Sequence, residues 1–211
     1  MPTLTPRSGR PGSGSKGGVP LIRGTALGPI AAWLAQAGGP DSLREIFERL
    51  PSAERAGLRP EVDNLGIDPR AWYATAAATA MVLEAERRHA PDNRDAYLRL
   101  LAERIMRDGI NVFHRALFKL FVSPRAAVEN IATAWERYYN EGRGFAEMKS
   151  ETSCHSVFAE WRGHHPAICE STAYCGVPIL RLAGAREVTV RRLQCISDSA
   201  SDCRWEISWQ A

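Results

Sequence analysis

The final segment of the chain places the strongest constraint on its fold. Cys203, Trp205, Ile207 and Trp209 alternate with Arg204, Glu206, Ser208 and Gln210, and side chains two apart share one face of an extended strand. One face is therefore apolar and the other polar, as in a strand that covers a core on one side only. Such a strand needs hydrogen-bonding partners, and the sequence supplies them. Glu187 to Cys195 reads as the preceding strand, with turn residues from Asp198 to Asp202 between the two. Further upstream, Phe145, Glu147 and Lys149 alternate with Ala146, Met148 and Ser150, and Ser153 to Trp161 follows as another strand. A hairpin is expected across Ser150 to Ser153.

Before Gly142 the apolar period changes from two to between three and four. Ile30, Trp33, Leu34 and Ala37 mark a helix starting near Ala26 and closed by Gly38-Gly39-Pro40. A second helix carries Leu43, Ile46, Phe47 and Leu50, with Asp41 or Ser42 as cap, Glu45 in capping-box position and Pro51 at its end. Ser52 to Leu58 is one further short helix. Asp68-Pro69 is expected to cap and open a long helix through Trp72, Tyr73, Ala76, Ala80, Leu83 and Arg87. Helices follow from Asp92 to Met106, ending near Gly109, from Val112 to Phe121, and from Ser123-Pro124 through Trp135 to Tyr139. Pro166 opens one more, to about Gly184. The expected fold class is α+β, an N-terminal helical bundle packed on a small C-terminal antiparallel sheet with one intervening helix. Residues 1–20, with four prolines and five glycines, form a flexible basic tail that cannot bury enough surface to offset its ordering entropy. Residues 21–211 form a single ligand-binding-like domain.

Charge excludes one class of partner. The formal charge is +3, but the first 23 residues hold Arg7, Arg10, Lys16 and Arg23 and no acid, leaving 23 basic and 24 acidic side chains beyond them. A nucleic-acid binder needs a basic stripe on its folded body to displace counterions from phosphates, and this body is nearly neutral. The longest apolar runs, such as Ala74 to Leu83, fall short of the ~18 residues that cross a bilayer. No export signal follows Met1, so the expected location is the cytoplasm, with no nucleic-acid and no membrane partner.

All five cysteines, Cys154, Cys169, Cys175, Cys195 and Cys203, lie in the last 58 residues. Cys195 and Cys203 stand at the two ends of a hairpin turn, and Cys169 lies near the start of the preceding helix. Two readings stand side by side: a thiolate-rich site suited to tetrahedral zinc, or buried thiols packed as small apolar groups.

The stretch from Cys169, CESTAYCGVPILRLAGAREVTVRRLQCISDSASDCRWEISW, resembles the end of the 4-vinyl reductase domain, which also serves as sensor domain of phenol- and xylene-responsive transcription activators. From about Val19 the whole chain further resembles an uncharacterised family of myxobacterial proteins of about two hundred residues, through the Leu-Pro at Leu50, ATAWERYYNEGR and the final Cys…CRWEISW. The resemblance implies a fold shared with haem nitric-oxide sensors and vesicle-tethering subunits, used to bind small hydrophobic ligands or partners. In the aromatic sensors three cysteines and a glutamate hold a zinc, and Cys169, Cys195 and Cys203 fall at the matching positions. The glutamate position is Arg192 here, and a guanidinium has no lone pair for a metal. Cys175 is a poor replacement, because six residues along a helix is a rotation of about 240° from Cys169. Cys154, His155, His164, His165, Glu206 or water remain as fourth ligand. Should the thiols instead pack as core, Arg192 is expected to pair with Glu187 or Glu206.

Phe113, Leu117, Phe121, Trp135, Tyr138 and Tyr139 are the candidate lining of an apolar ligand pocket between helices and sheet, the tyrosine hydroxyls orienting a ligand; plain core packing is the competing reading. His114 is the one histidine on an apolar helix, but the Tyr-x-Ser-x-Arg propionate motif of haem sensors does not occur, and His164-His165 reads as a solvated turn. No nucleophile with a base, phosphate loop or acidic pair is found; Cys154 and His155 are adjacent on a strand and so face opposite ways. The chain is therefore expected not to be an enzyme. The function expected is a small-molecule-binding or sensory domain with a hydrophobic pocket, signalling through a partner protein, as a homodimer with one zinc ion or no cofactor. The alternative is a dimeric interaction adaptor with a filled core and a relic metal site.

Overall fold

The computed structural model describes residues 18–89, 93–113 and 122–211. Most of the expected basic tail lies outside these residues, as does most of the helix expected from Val112 to Phe121. Strand β1 (Leu21–Arg23) runs directly into helix α1 (Gly24–Gly38), followed by α2 (Pro40–Arg49), β2 (Trp72–Ala74), α3 (Thr75–His89) and α4 (Arg94–Phe113). Leu27, Ile30, Ala31 and Leu34 of α1 are buried against Leu43 and Ile46 of α2 and against Ala77, Ala78, Met81 and Val82 of α3. The alanines of α3 let the neighbouring backbones approach closely. Among the described residues no helix is long and apolar enough to cross a membrane.

The two short strands correct the expected helix start at Asp68. Leu21, Ile22 and Arg23 pair antiparallel with Ala74, Tyr73 and Trp72, and the Thr75 amide donates to the Pro20 carbonyl at 2.8 Å. Asp68 caps a turn instead, accepting from the Arg70 amide at 2.8 Å, and α3 begins only at Thr75. The crossing is tight: Gly24 donates to Ala71 at 3.0 Å, and a Cβ on Gly24 would stand 2.0 Å from the Asp68 carbonyl oxygen, so only glycine fits there. Of the segment Ser52 to Leu58, only Ser52–Glu54 is helical, as a single 3-10 turn.

Helix α4 continues through Gly109, where an end was expected, because one glycine weakens a helix without breaking it. The single helix expected after Ser123 is two, α5 (Pro124–Glu129) and α6 (Ile131–Tyr138). Ser123 caps the first through its hydroxyl, and Asn130 interrupts the run by turning its side-chain amide back to the Ala126 carbonyl at 2.8 Å.

The sheet contains β3 (Arg143–Ser150), β4 (Ser153–Ala159), β5 (Arg186–Gln194) and β6 (Asp202–Gln210), in the order β3-β4-β6-β5 with every neighbour antiparallel. The expected hairpin across Ser150 to Ser153 is present. Cys203, Trp205, Ile207 and Trp209 are all buried, each flanked by half-buried or exposed residues, as a period of two requires. Between the hairpins lie two helices rather than one, α7 (Pro166–Tyr174) and α8 (Gly176–Leu182). Pro178 explains the break, because it has no amide to offer the Tyr174 carbonyl one turn back.

Candidate ligand-binding cavity and cysteine cluster

A cavity of about 120 Å³ lies between the N-terminal helices and the inner face of the sheet. Ile30 of α1, Ile105 and Met106 of α4, Ile168 of α7, Ile179 of α8 and Ile207 of β6 contribute walls, and Trp135, Tyr138 and Tyr139 stand at the end of α6. A single element could not supply this wall. Tyr139 is directed inward by the turn out of α6: Ile22 of β1 bridges to it, and Asn140 holds Leu21 through both its side chain and its amide, at 2.7 and 3.2 Å.

Trp135 is 5% exposed and is gripped by other rings: Tyr139 at 4.3 Å, Phe158 stacked at 5.2 Å and Trp161 edge-on at 4.9 Å between centroids. Its indole N–H donates to the Glu141 carbonyl at 3.1 Å. The Tyr139 and Thr172 hydroxyls share a hydrogen bond of 2.9 Å. Burial pushes the Tyr138 and Tyr139 phenols well above their usual range, the Thr172 bond opposing this at Tyr139, and it pushes the Cys175 thiol up to about 12. The walls are therefore neutral throughout the physiological range.

Of the pocket residues named from sequence, Trp135, Tyr138 and Tyr139 come together on this wall. Phe113 ends α4 with its side chain outside the description, and Leu117, Phe121 and His114 lie outside the described residues. The remaining walls escaped sequence reading because each isoleucine appears only as an ordinary core position of its own helix.

A second arrangement lies on the far side of α7. The sulfurs of Cys169, Cys195 and Cys203 and one ring nitrogen of His164 all lie within 4.8 Å of one another. The Cys195 and Cys203 sulfurs are 3.1 Å apart, and the His164 Nε2 is 3.2 Å from the Cys195 Sγ. The Trp205 indole donates to the Cys169 Sγ at 3.4 Å, and the Ile196 amide to the Cys203 Sγ at 3.3 Å. Donation from Cys169, then from the Ile196 amide and Cys195, lowers the Cys203 thiol to about 5 against the opposing effect of burial. Cys169, which makes that donation from a buried position, is driven strongly upward.

His164, read both as part of a solvated turn and as one of the possible fourth ligands, joins the three cysteines. His165 accepts from the Ala167 amide at 3.2 Å and caps α7, which fixes the approach of its neighbour. Cys175 is not in the cluster and lines the cavity, as its rotation from Cys169 requires. Arg192 faces Glu170 at 3.8 Å and Asp198 at 3.4 Å, not Glu187 or Glu206; Glu206 is taken by Arg191 at 2.7 Å. Cys154 is buried, which pushes its thiol up to about 12, so it offers no thiolate to an adjacent histidine.

The architecture is that of the H-NOX fold. An H-NOX protein from S. oneidensis, solved in its Fe(II)NO state, superposes with a TM-score of 0.64 over 90% of this chain and 100% of its own, at 12% identity. One from K. algicida, in the unliganded Fe(II) state, gives 0.60 over 90% and 97% at 10% identity, and an oxygen-binding H-NOX domain related to soluble guanylate cyclases, solved as its oxygen complex, gives 0.58 over 90% and 96% at 11% identity. At these identities the likeness establishes the fold alone. No family model and no curated protein matches the sequence.

The expectation of one zinc ion or no cofactor is overturned by these neighbours. They are iron proteins, one further member having been solved to probe heme distortion in the H-NOX family, so haem is the group that the fold implies. The described walls of the cavity do not fit it. No histidine is among them, the tyrosine and cysteine donors present are held protonated, and about 120 Å³ is well below the ~300 to 1,000 Å³ of cofactor pockets.

Proposed function

We propose that this chain is a non-catalytic sensory domain that binds a small apolar molecule directly in the cavity between helices and sheet and passes its occupancy to a partner protein in the cytoplasm, as a homodimer. The cavity of about 120 Å³ bounded by Trp135, Tyr138 and Tyr139 carries this reading. Apolar spaces of this order take up small hydrophobic molecules. The neighbours bind their small ligands within the same fold, which supports the placement, and the fold relation keeps the sensor lineage of the 4-vinyl reductase resemblance in view. The adaptor alternative needs a filled core, and the cavity weighs against it.

In the same reading Cys169, Cys195 and Cys203, with His164 as the fourth donor, form a structural metal centre that ties β5, β6 and α7 together. Three sulfurs and an imidazole nitrogen suit tetrahedral coordination.

The test is a benzene titration followed by tryptophan fluorescence, with native mass spectrometry and an absorption spectrum of the purified protein. Saturable binding, lost in Ile179→Trp, is expected, with a dimer mass. No saturable response would overturn the cavity reading and favour the adaptor. A haem absorption band would overturn direct binding of an apolar ligand in that space.

A further inference from the structure

Two hydroxyls from different elements meet in the wall of the cavity. Tyr139, at the end of α6, and Thr172 of α7 both line it, and their oxygens stand 2.9 Å apart with either able to donate. A hydroxyl has one hydrogen and two lone pairs, so a single bond between two of them uses one hydrogen and leaves the other free to donate. Among the described residues neither oxygen makes a second hydrogen bond. Ser171, the adjacent hydroxyl on α7, already commits its hydrogen to the Ile168 carbonyl at 3.0 Å. The pair is also held in place. The Tyr139 ring packs against Trp135 at 4.3 Å and Trp161 at 4.9 Å between centroids, Ile22 of β1 bridges to its backbone, and burial keeps the phenol protonated, so the hydroxyl retains both its position and its hydrogen.

We infer that the Tyr139–Thr172 pair is the polar recognition point of the cavity, its free O–H donating to one oxygen acceptor on an otherwise apolar, uncharged ligand of about six non-hydrogen atoms. The inference rests on the cavity reading above. The size follows from the volume, since a cavity of ~150 Å³ accommodates benzene and this one holds about 120 Å³. The acceptor follows from the count of hydrogens. A ligand oxygen that takes the free hydrogen engages both hydroxyls, whichever donates to the other, because reversing the bond between them only moves the free hydrogen from one oxygen to its neighbour. Neutrality follows from the walls. Those described carry no charged side chain, so an ion would lose its hydration without replacement. A ligand bound to the pair also touches α6 and α7 together, which are the two elements that the hydroxyl bond joins.

The experiment compares two probes of the same shape, cyclopentanone and methylenecyclopentane, of which only the ketone accepts a hydrogen bond. Each is titrated by tryptophan fluorescence into the full chain and into Tyr139→Phe, Thr172→Val and the double variant, whose melting curves check folding. The quantity read is the ratio of the two dissociation constants, in which the probes' own desolvation cancels between proteins. Each single variant still carries one hydroxyl and is expected to keep part of the wild-type ratio; the double variant is expected to lose about tenfold for the ketone relative to the hydrocarbon, as one buried hydrogen bond allows. A second readout needs no variant: the carbonyl stretch of cyclopentanone bound to wild type is expected at lower frequency than in cyclohexane. An unchanged ratio in the double variant, a carbonyl stretch at its cyclohexane position, or binding of benzene without cyclopentanone overturns the role of the pair and leaves the cavity reading standing. Binding of neither probe, together with no response to benzene, overturns both.

Discussion

Gly144→Ala is expected to destabilise the domain strongly. Gly144 is the second residue of β3, beneath α6. A Cβ there would stand 2.3 Å from Trp135 Cε3, 2.5 Å from Cδ2 and 2.8 Å from Cγ, whereas carbons in contact settle at about 3.5 to 4.0 Å. The indole would have to retreat by about 1 Å or more. It has nowhere to go, because Tyr139, Phe158 and Trp161 pack around it. Overpacking of this kind costs about 3 kcal/mol, and displacing the indole from the Glu141 carbonyl adds about 1 kcal/mol. For a chain of this length each kcal/mol moves the melting temperature by about 2 to 4 °C, so a fall of about 8 to 16 °C follows. Thermal unfolding monitored by circular dichroism measures it. A double-mutant cycle with Trp135→Ala, which removes all three crowding atoms, should recover about 2 kcal/mol or more as coupling. A melting temperature within about 2 °C of wild type, or additive effects in the cycle, would refute the packing argument.

Two further outcomes test other parts of the molecule. Glu84 is buried on α3, and the hydrogen bond from Arg87, with that from Arg88, holds its carboxyl at about 2 against an ordinary 4.5; because the folded value is depressed, its contribution is complete above pH 4.5 and disappears as pH falls toward 2. Urea midpoints across that window should show a shallower acid limb in Glu84→Gln than in wild type, and identical limbs would defeat the linkage argument. Cys195→Ser places a hydroxyl at a fully buried site beside Cys203 and His164, so we expect a loss of about 2 kcal/mol and a lower metal content by elemental analysis; wild-type melting and metal content would contradict the assigned cluster.

The parts of the fold that could be read directly are those whose cause is local. The strand carrying Cys203, Trp205, Ile207 and Trp209 reads correctly because a period of two is a property of one segment, whatever it packs against. The Ser123-Pro124 and Pro166 helix starts are equally local, since a cap and a first-turn proline act within four residues. The misread elements depend on distant partners. Trp72–Ala74 has a helical-looking sequence, but its amides pair with Leu21–Arg23 about fifty residues earlier, and no window around Trp72 contains that information. The extra break in the intervening helix was legible in Pro178 and was missed, because the apolar stripe runs on past it.

The sequence by itself determined that Cys195 and Cys203 would meet across a hairpin turn; that Cys169 joins them was what the family resemblance implied. It could not determine the fourth member. His164 reaches the cluster from the turn after β4, closed by its amide on the Trp161 carbonyl at 3.2 Å, while His165 caps α7, a geometry that emerges only once α7 is seated on the sheet. The cavity was decided by tertiary structure alone. Ile30, Ile105, Ile168, Ile179 and Ile207 have the periodicity of ordinary core residues, and a filled core and a core with a space in it obey the same rule of burial. Only the distances between their elements separate the two.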